Sequence, residues 1–307
     1  MPPKGYSSRD GEKKRMNATV IASLIGVIAS TQIHIAKGLQ RYGIEGLRSN
    51  TALSAARIRR RRAVYLIGIL LNNLGFLWAL LANMYAPTAY YTASFGFGLV
   101  VMMVFSEFIL HEPITKLQHI GAGIIAAGTI FIGIGRGDAP VPAMHGILLD
   151  RVAGFTVIYF SVLLLIIAFS LGFKVQKPIG VFFGLFTGGA ASFDPIFKGI
   201  GQQFGAKVGF LPHTPQGWIF FGGSFLFGLF AFSFTQIGFY RRAKASTLVA
   251  FHNIALILVP ILFLQIALPG FGLSKLQILG ILIVMSGIFL MFTEHTCSEL
   301  SKIFRRR

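Results

Sequence analysis

Apolar residues run along this chain in blocks of roughly 20, long enough for one helical crossing of a bilayer core, with short polar or basic turns between them. Such blocks lie at roughly 17–37, 64–84, 88–109, 117–135, 151–172, 179–200, 217–239, 246–267 and 273–293. Their phenylalanine, glycine and β-branched content suits lipid, where each segment must satisfy its own backbone groups. The pattern predicts an all-α, polytopic membrane helical bundle of about nine transmembrane helices. A basic tail over 1–16 precedes them and another over 294–307 follows.

One stretch is written twice. Lys116-Leu117-Gln118-His119-Ile120-Gly121, continuing through Gly128 to Ile130-Phe131, returns as Lys275-Leu276-Gln277-Ile278-Leu279-Gly280, with Gly287 and Ile288-Phe289 at the same offsets. Upstream, Ala86, Ala89 and Ala93 align with Ala243, Ser246 and Ala250, and Lys37-Gly38 is echoed by Lys198-Gly199. The offset is too long for a solenoid repeat and points to two homologous halves. A first repeat over 17–135, a linker over 136–150, and a linking helix with the second repeat over 151–293 follow from this. Span 1 then pairs with span 6, 2 with 7, 3 with 8 and 4 with 9. An odd displacement turns the second copy upside down, so the halves are expected as inverted four-helix repeats joined by one helix.

Composition settles the solvent. Of 307 residues 54% are hydrophobic and only 12% charged, too few polar side chains to wet a globular surface. The formal charge of +18 sits at helix ends and in loops, which favours membrane lipids as partners over nucleic acid. The single cysteine, Cys297, forms no internal disulfide. Alternate loops place Lys37, Arg41, Arg48, Arg57, the run Arg59 to Arg62, Arg241, Arg242 and the C-terminal arginines on one side. The positive-inside rule makes that side cytoplasmic and leaves the N-terminus outside a cell membrane. The loop ending Arg57-Ile58-Arg59-Arg60-Arg61-Arg62 is read first as a cytoplasmic anchor and second as a site for anionic lipid or substrate.

A family likeness rests on short motifs. Ala86-Pro87 opens the third span, and Glu112-Pro113 precedes Lys116-Leu117-Gln118 with Gly121 and Gly128. In these residues the chain resembles the drug/metabolite transporter superfamily with its EamA-like repeats. Thr235-Gln236-Ile237, Arg242-Ala243 and Lys198-Gly199 are similar to the NIPA-type magnesium transporters. The resemblance spans most of 17–293 and implies a secondary transporter whose solute is a divalent cation such as magnesium. It departs at Phe76, which stands where the NIPA-type pattern carries an acidic residue.

Ionisable and amide groups inside spans mark a pathway or a helix-to-helix contact. Asp194, followed by Pro195, is the foremost candidate, as a cation or proton site or as the partner of Lys198 one turn on. Gln32 and His34 with Lys37 lie on span 1, Gln236 with Thr235 on span 7, His252 and Asn253 on span 8, and Asn72, Asn73 and Asn83 on span 2. A substrate pathway is expected from Asp194, Lys198, Gln32, His34, Gln236, His252, Asn253 and Asn72, with Asp194 as metal ligand. Glu112 is read as a helix cap. Gly180, Gly184 and Gly188 should admit a close helix neighbour, in the bundle or in a homodimer. No nucleotide loop, metalloprotease helix or catalytic triad spacing occurs, so neither an enzyme nor a cofactor is expected. A proton-coupled exporter of an organic metabolite or drug is the second reading, favoured by 31 phenylalanines and few acids. A non-transporting membrane scaffold is the third.

Overall fold

The apolar blocks become helices because only intrasegment hydrogen bonds satisfy a backbone that water does not reach. In the computed structural model, which describes residues 8–48, 54–86, 88–112, 114–134, 146–172, 179–205, 209–272 and 274–304, they are all helical. The order is α1 (Ser8–Gly43), a 3₁₀ turn (Ile44–Leu47), α2 (Ala55–Asn83), α3 (Thr88–Ala93), α4 (Gly96–Phe108), α5 (Lys116–Ile134), α6 (Leu149–Gly172), α7 (Ile179–Gln203), α8 (Pro215–Tyr240), α9 (Ala245–Ala267) and α10 (Lys275–Phe304). No strand occurs among the described residues.

Seven stretches are long and apolar enough to cross a membrane: α1, α2, the α3–α4 run, α6, α7, α8 and α9. α5 and α10 add shorter apolar stretches, Lys116–Ile132 and Lys275–Gly287. The set fits a multi-pass membrane protein. Outward faces carry large apolar side chains, such as Leu66 and Leu70 on α2 and Ile219 and Leu226 on α8. α9 is buried along most of its length, as an all-round apolar helix must be at the centre of a bundle. Around it, Phe193 of α7 meets the rings of Phe160, Phe227 and Phe263 at centroid distances of 5.3, 5.3 and 5.7 Å, which ties α6, α8 and α9 together. Much of the phenylalanine content therefore packs helix against helix.

The duplicated stretch adopts the same local structure twice. Thr115 and Gln118 form a capping box: the Thr115 N–H donates to Gln118 Oε1 at 3.1 Å and the Gln118 N–H to Thr115 Oγ1 at 3.3 Å. Ser274 and Gln277 repeat it at 2.9 and 3.2 Å. α5 and α10 then pack on each other through the duplicated glycines. A Cβ on Gly128 would stand 2.8 Å from the Gly280 carbonyl oxygen, and one on Gly287 2.8 Å from that of Gly121.

Two expectations are revised. The apolar block at 88–109 is not one helix but two, with a turn at Ser94 and Phe95. The arginine-rich segment is no loop: Ala55 onward already belongs to α2. Arg61 donates to the Tyr42 carbonyl at 3.3 Å and lies over the Tyr42 ring, and Arg62 donates to the Gly46 carbonyl at 3.0 Å. Both bind carbonyls at the end of α1 and the turn after it, where helix termini leave acceptors unfilled. Most of the linker, 136–145, lies outside the described residues.

Candidate functional site

At the break between α3 and α4, where the Gly98 N–H donates to the Phe95 carbonyl at 3.1 Å, polar side chains from two other helices add further bonds. The Phe95 carbonyl accepts from Ser30 Oγ of α1 at 3.0 Å and from Asn253 Nδ2 of α9 at 2.9 Å, while the Gly98 N–H donates to Ser30 Oγ at 3.0 Å. His34, fully buried, lies with Nε2 3.0 Å from Asn253 Oδ1 and Nδ1 2.6 Å from the Ser30 carbonyl oxygen. A second interruption lies in α7. Pro195 has no N–H to offer the Ala191 carbonyl one turn earlier. Its own carbonyl accepts from Asn83 Nδ2 at 3.0 Å and Thr88 Oγ1 at 3.2 Å.

Between these interruptions lies a cavity of about 440 Å³. α1 contributes Ile33, Lys37 and Gln40, α2 Asn72 and Phe76, α7 Ala191, Asp194 and Lys198, α8 Phe225 and Thr235, and α9 His252. Tyr91 of α3 and Phe95 also line it. Phe76 meets Phe225 edge-on, bridging α2 and α8 at a ring distance of 6.3 Å.

Charge in this space is uneven. Lys198 is fully buried, forms an ion pair with Asp194 one turn before it, and lies 4.4 Å from the centroid of the Phe225 ring. Lys37, 4% exposed, has an Nζ with no hydrogen-bond partner among the described residues. Asp194 is the one carboxylate among the lining residues. Near His252, the Thr187 hydroxyl lies 3.0 Å from Nδ1.

The structure thus sorts the expected pathway residues. Asp194, Lys198, His252 and Asn72 line the cavity. Four others tie helices together outside its lining. Gln32 donates to the Leu71 carbonyl at 2.9 Å and accepts from Trp78 Nε1 at 3.0 Å. Gln236 accepts from the Tyr65 hydroxyl at 3.0 Å and donates to Gln40 Oε1 at 2.6 Å. His34 and Asn253 hold the broken helix. Gln40, which sequence reasoning passed over, lines the cavity. Its signal was present, since Ile33, Lys37 and Gln40 recur at helical spacing on one face of α1. The glycine row of α7 packs within the bundle, with Gly184 and Gly188 against the α9 backbone at Leu248 and His252.

At one end of the bundle a polar cluster joins four elements. Glu112 accepts from the Ala245 and Ser246 N–H groups, both at 3.2 Å, and so caps α9 instead of the helix that follows it in sequence. Arg41 reaches Glu112 at 3.4 Å and Glu45 at 3.3 Å. Arg48 pairs with Glu45 and donates to the Tyr240 carbonyl at 2.9 Å, at the end of α8. The turns before α5 and α9 each pass through a left-handed residue, His111 at φ 51° and Arg242 at φ 65°.

No group of three or more His, Cys, Asp or Glu side chains placed to hold a metal ion occurs among the described residues. Comparison of the chain with family models, with curated proteins and with solved structures finds no match.

Proposed function

We propose that the chain is a secondary membrane transporter of a small organic solute, working by alternating access between inverted repeats. The observation that carries this is the cavity itself: charged and polar groups from α1, α2, α7, α8 and α9 converge on one space inside a bundle of apolar helices. Ionisable residues are costly within a bilayer, and their usual reward is a solute or ion pathway.

The repeats are supported by the twin capping boxes and by the reciprocal glycine contacts of α5 and α10. If a twofold axis relates Gly121 to Gly280 and Gly128 to Gly287, the contact of Gly121 with Gly287 maps onto that of Gly280 with Gly128. Lys37 and Lys198, aligned in the two copies, both line the cavity. Counting the α3–α4 run once and adding α5 and α10 to the seven long stretches gives nine crossings, with the C-terminus cytoplasmic by the distribution of basic residues. On that orientation the cluster of Arg41, Glu45, Arg48 and Glu112 ties the cytoplasmic end shut. This is the architecture implied by the likeness to EamA-type transporters.

An organic solute is favoured over magnesium. Magnesium keeps an octahedral shell of oxygens, held by carboxylates and water. Here the lining carboxylate is already paired with Lys198, and Phe76, Phe95, Tyr91 and Phe225 supply aromatic wall.

The test is uptake into proteoliposomes of a radiolabelled panel of organic anions, cations and neutral metabolites, with magnesium followed in parallel by an internal dye. Saturable uptake of an organic member, lost when Ala191→Trp fills the cavity, is expected. Magnesium uptake alone would return the divalent-cation reading. No uptake of any member by folded, inserted protein would leave a scaffold as the better account.

A further inference from the structure

The two aligned lysines of the cavity are not in the same state. Lys198 has Asp194 four residues before it, and the pair closes as an ion pair on one face of α7. Four residues before Lys37 stands Ile33, which also lines the cavity. Lys37 Nζ consequently reaches no acceptor among the described residues although the residue is 4% exposed. A buried amine that meets no acceptor is costly to keep protonated, and a ligand that supplies the missing negative charge offsets that cost. The neighbouring lining groups do not supply it. Gln40 donates through Nε2 to the Gly68 carbonyl and accepts from Gln236, and Asp194 is held by Lys198.

We propose that the cavity recognises a small organic anion, a carboxylate or phosphate on an aromatic or apolar body, with Lys37 Nζ as the anion contact. The geometry is that of a ligand pocket: about 440 Å³, mostly apolar and aromatic wall, and a few convergent polar groups. The anion takes on α1 the role that Asp194 takes on α7. The aromatic rings Phe76, Phe95, Tyr91 and Phe225 receive the rest of the solute. This inference names the substrate class of the proposed transporter and rests on that reading, but it concerns binding and is tested by binding.

Purified protein in a neutral detergent is titrated with radiolabelled benzoate and phenyl phosphate, and with benzamide and benzylamine as neutral and cationic counterparts. Saturable binding of at least one of the two anions, with benzamide and benzylamine weaker, is expected. In Lys37→Gln, anion affinity falls by roughly tenfold to a hundredfold, the effect of losing one hydrogen bond to a charged group, while benzamide binding is unchanged. Because Lys37→Gln alters a buried site, Ile33→Asp is the second variant: it places a carboxylate one turn before Lys37, as in α7, and abolishes anion binding in a protein whose melting temperature shows it folded. Anionic lipid headgroups share the anion's chemistry, so phosphatidylglycerol is added as a competitor. Displacement of benzoate by the lipid at lower concentration than by free phenyl phosphate would overturn the solute assignment. Equal binding of benzamide or benzylamine, no saturable binding of either anion, or undiminished binding in Ile33→Asp would overturn the proposal. Anion binding without flux in liposomes sinks transport and keeps the site. Flux of a neutral or cationic solute without anion preference does the reverse.

Discussion

Gly128 of α5 and Gly280 of α10 meet backbone to backbone: a Cβ on Gly128 would stand 2.8 Å from the Gly280 carbonyl oxygen, and one on Gly280 2.7 Å from that of Gly128. Helices in lipid associate through such close packing of small residues, because apolar side chains gain nothing by leaving the lipid tails.

Gly128→Val and Gly280→Val therefore each force the two helices apart. A loss of about 1–3 kcal/mol is expected, the usual cost of overpacking. Gly123→Val, on the same helix but with nothing within 4 Å of its added Cβ, should stay within about 0.5 kcal/mol of wild type. Thermal melts in detergent micelles decide. If Gly123→Val and Gly128→Val melted alike, the packing account of α5 and α10 would fail.

The Phe95 carbonyl accepts from Ser30 Oγ, from Asn253 Nδ2 and, within its own turn, from the Gly98 N–H at 3.1 Å. Removing both side-chain donors therefore leaves the carbonyl bonded, and what is lost is the tie of α1 and α9 to the break, about 0.5–1.5 kcal/mol for each bond. Ser30→Ala combined with Asn253→Leu should accordingly lose about the sum of the single variants, and a double-mutant cycle measures any excess. A large excess would mean that the bond within the turn does not satisfy the carbonyl once both side chains are gone.

Asp194, 19% exposed, and the buried Lys198, 1% exposed, form the ion pair of α7. Asp194→Asn leaves Lys198 charged, buried and unpaired, and is expected to destabilise the protein by about 3–5 kcal/mol. Adding Lys198→Met removes the stranded charge and should recover part of that loss. Equilibrium unfolding of the two variants checks it. A double variant as unstable as Asp194→Asn alone would show that the carboxylate matters for something other than its lysine.

Chain sequence alone determined the helical character, the positions of the apolar stretches, the duplicated turn with its glycines, and the placing of Asp194, Lys198, His252 and Asn72 as polar groups within apolar helices. Each of these is written in local pattern: a run of apolar residues has to be helical in lipid, and Thr115 to Gln118 or Ser274 to Gln277 carries its capping box within four positions. The tertiary structure decided which way the polar side chains face. Gln32, His34, Gln236 and Asn253 look the same in sequence as Asn72 or His252, since a polar residue in an apolar helix carries the same signal whether it meets a cavity or a neighbouring helix. Only packing fixed the rotation of each helix, and so made His34 and Asn253 supports of the broken helix while Gln40 entered the cavity lining. The break at Ser94 and Phe95 was equally invisible, because the side chains that converge on its Phe95 carbonyl, Ser30 and Asn253, lie far away in the chain. The solitude of Lys37 belongs to the same class: Ile33 one turn before it could be read in the sequence, but that no partner reaches its Nζ among the described residues is a property of the assembled bundle.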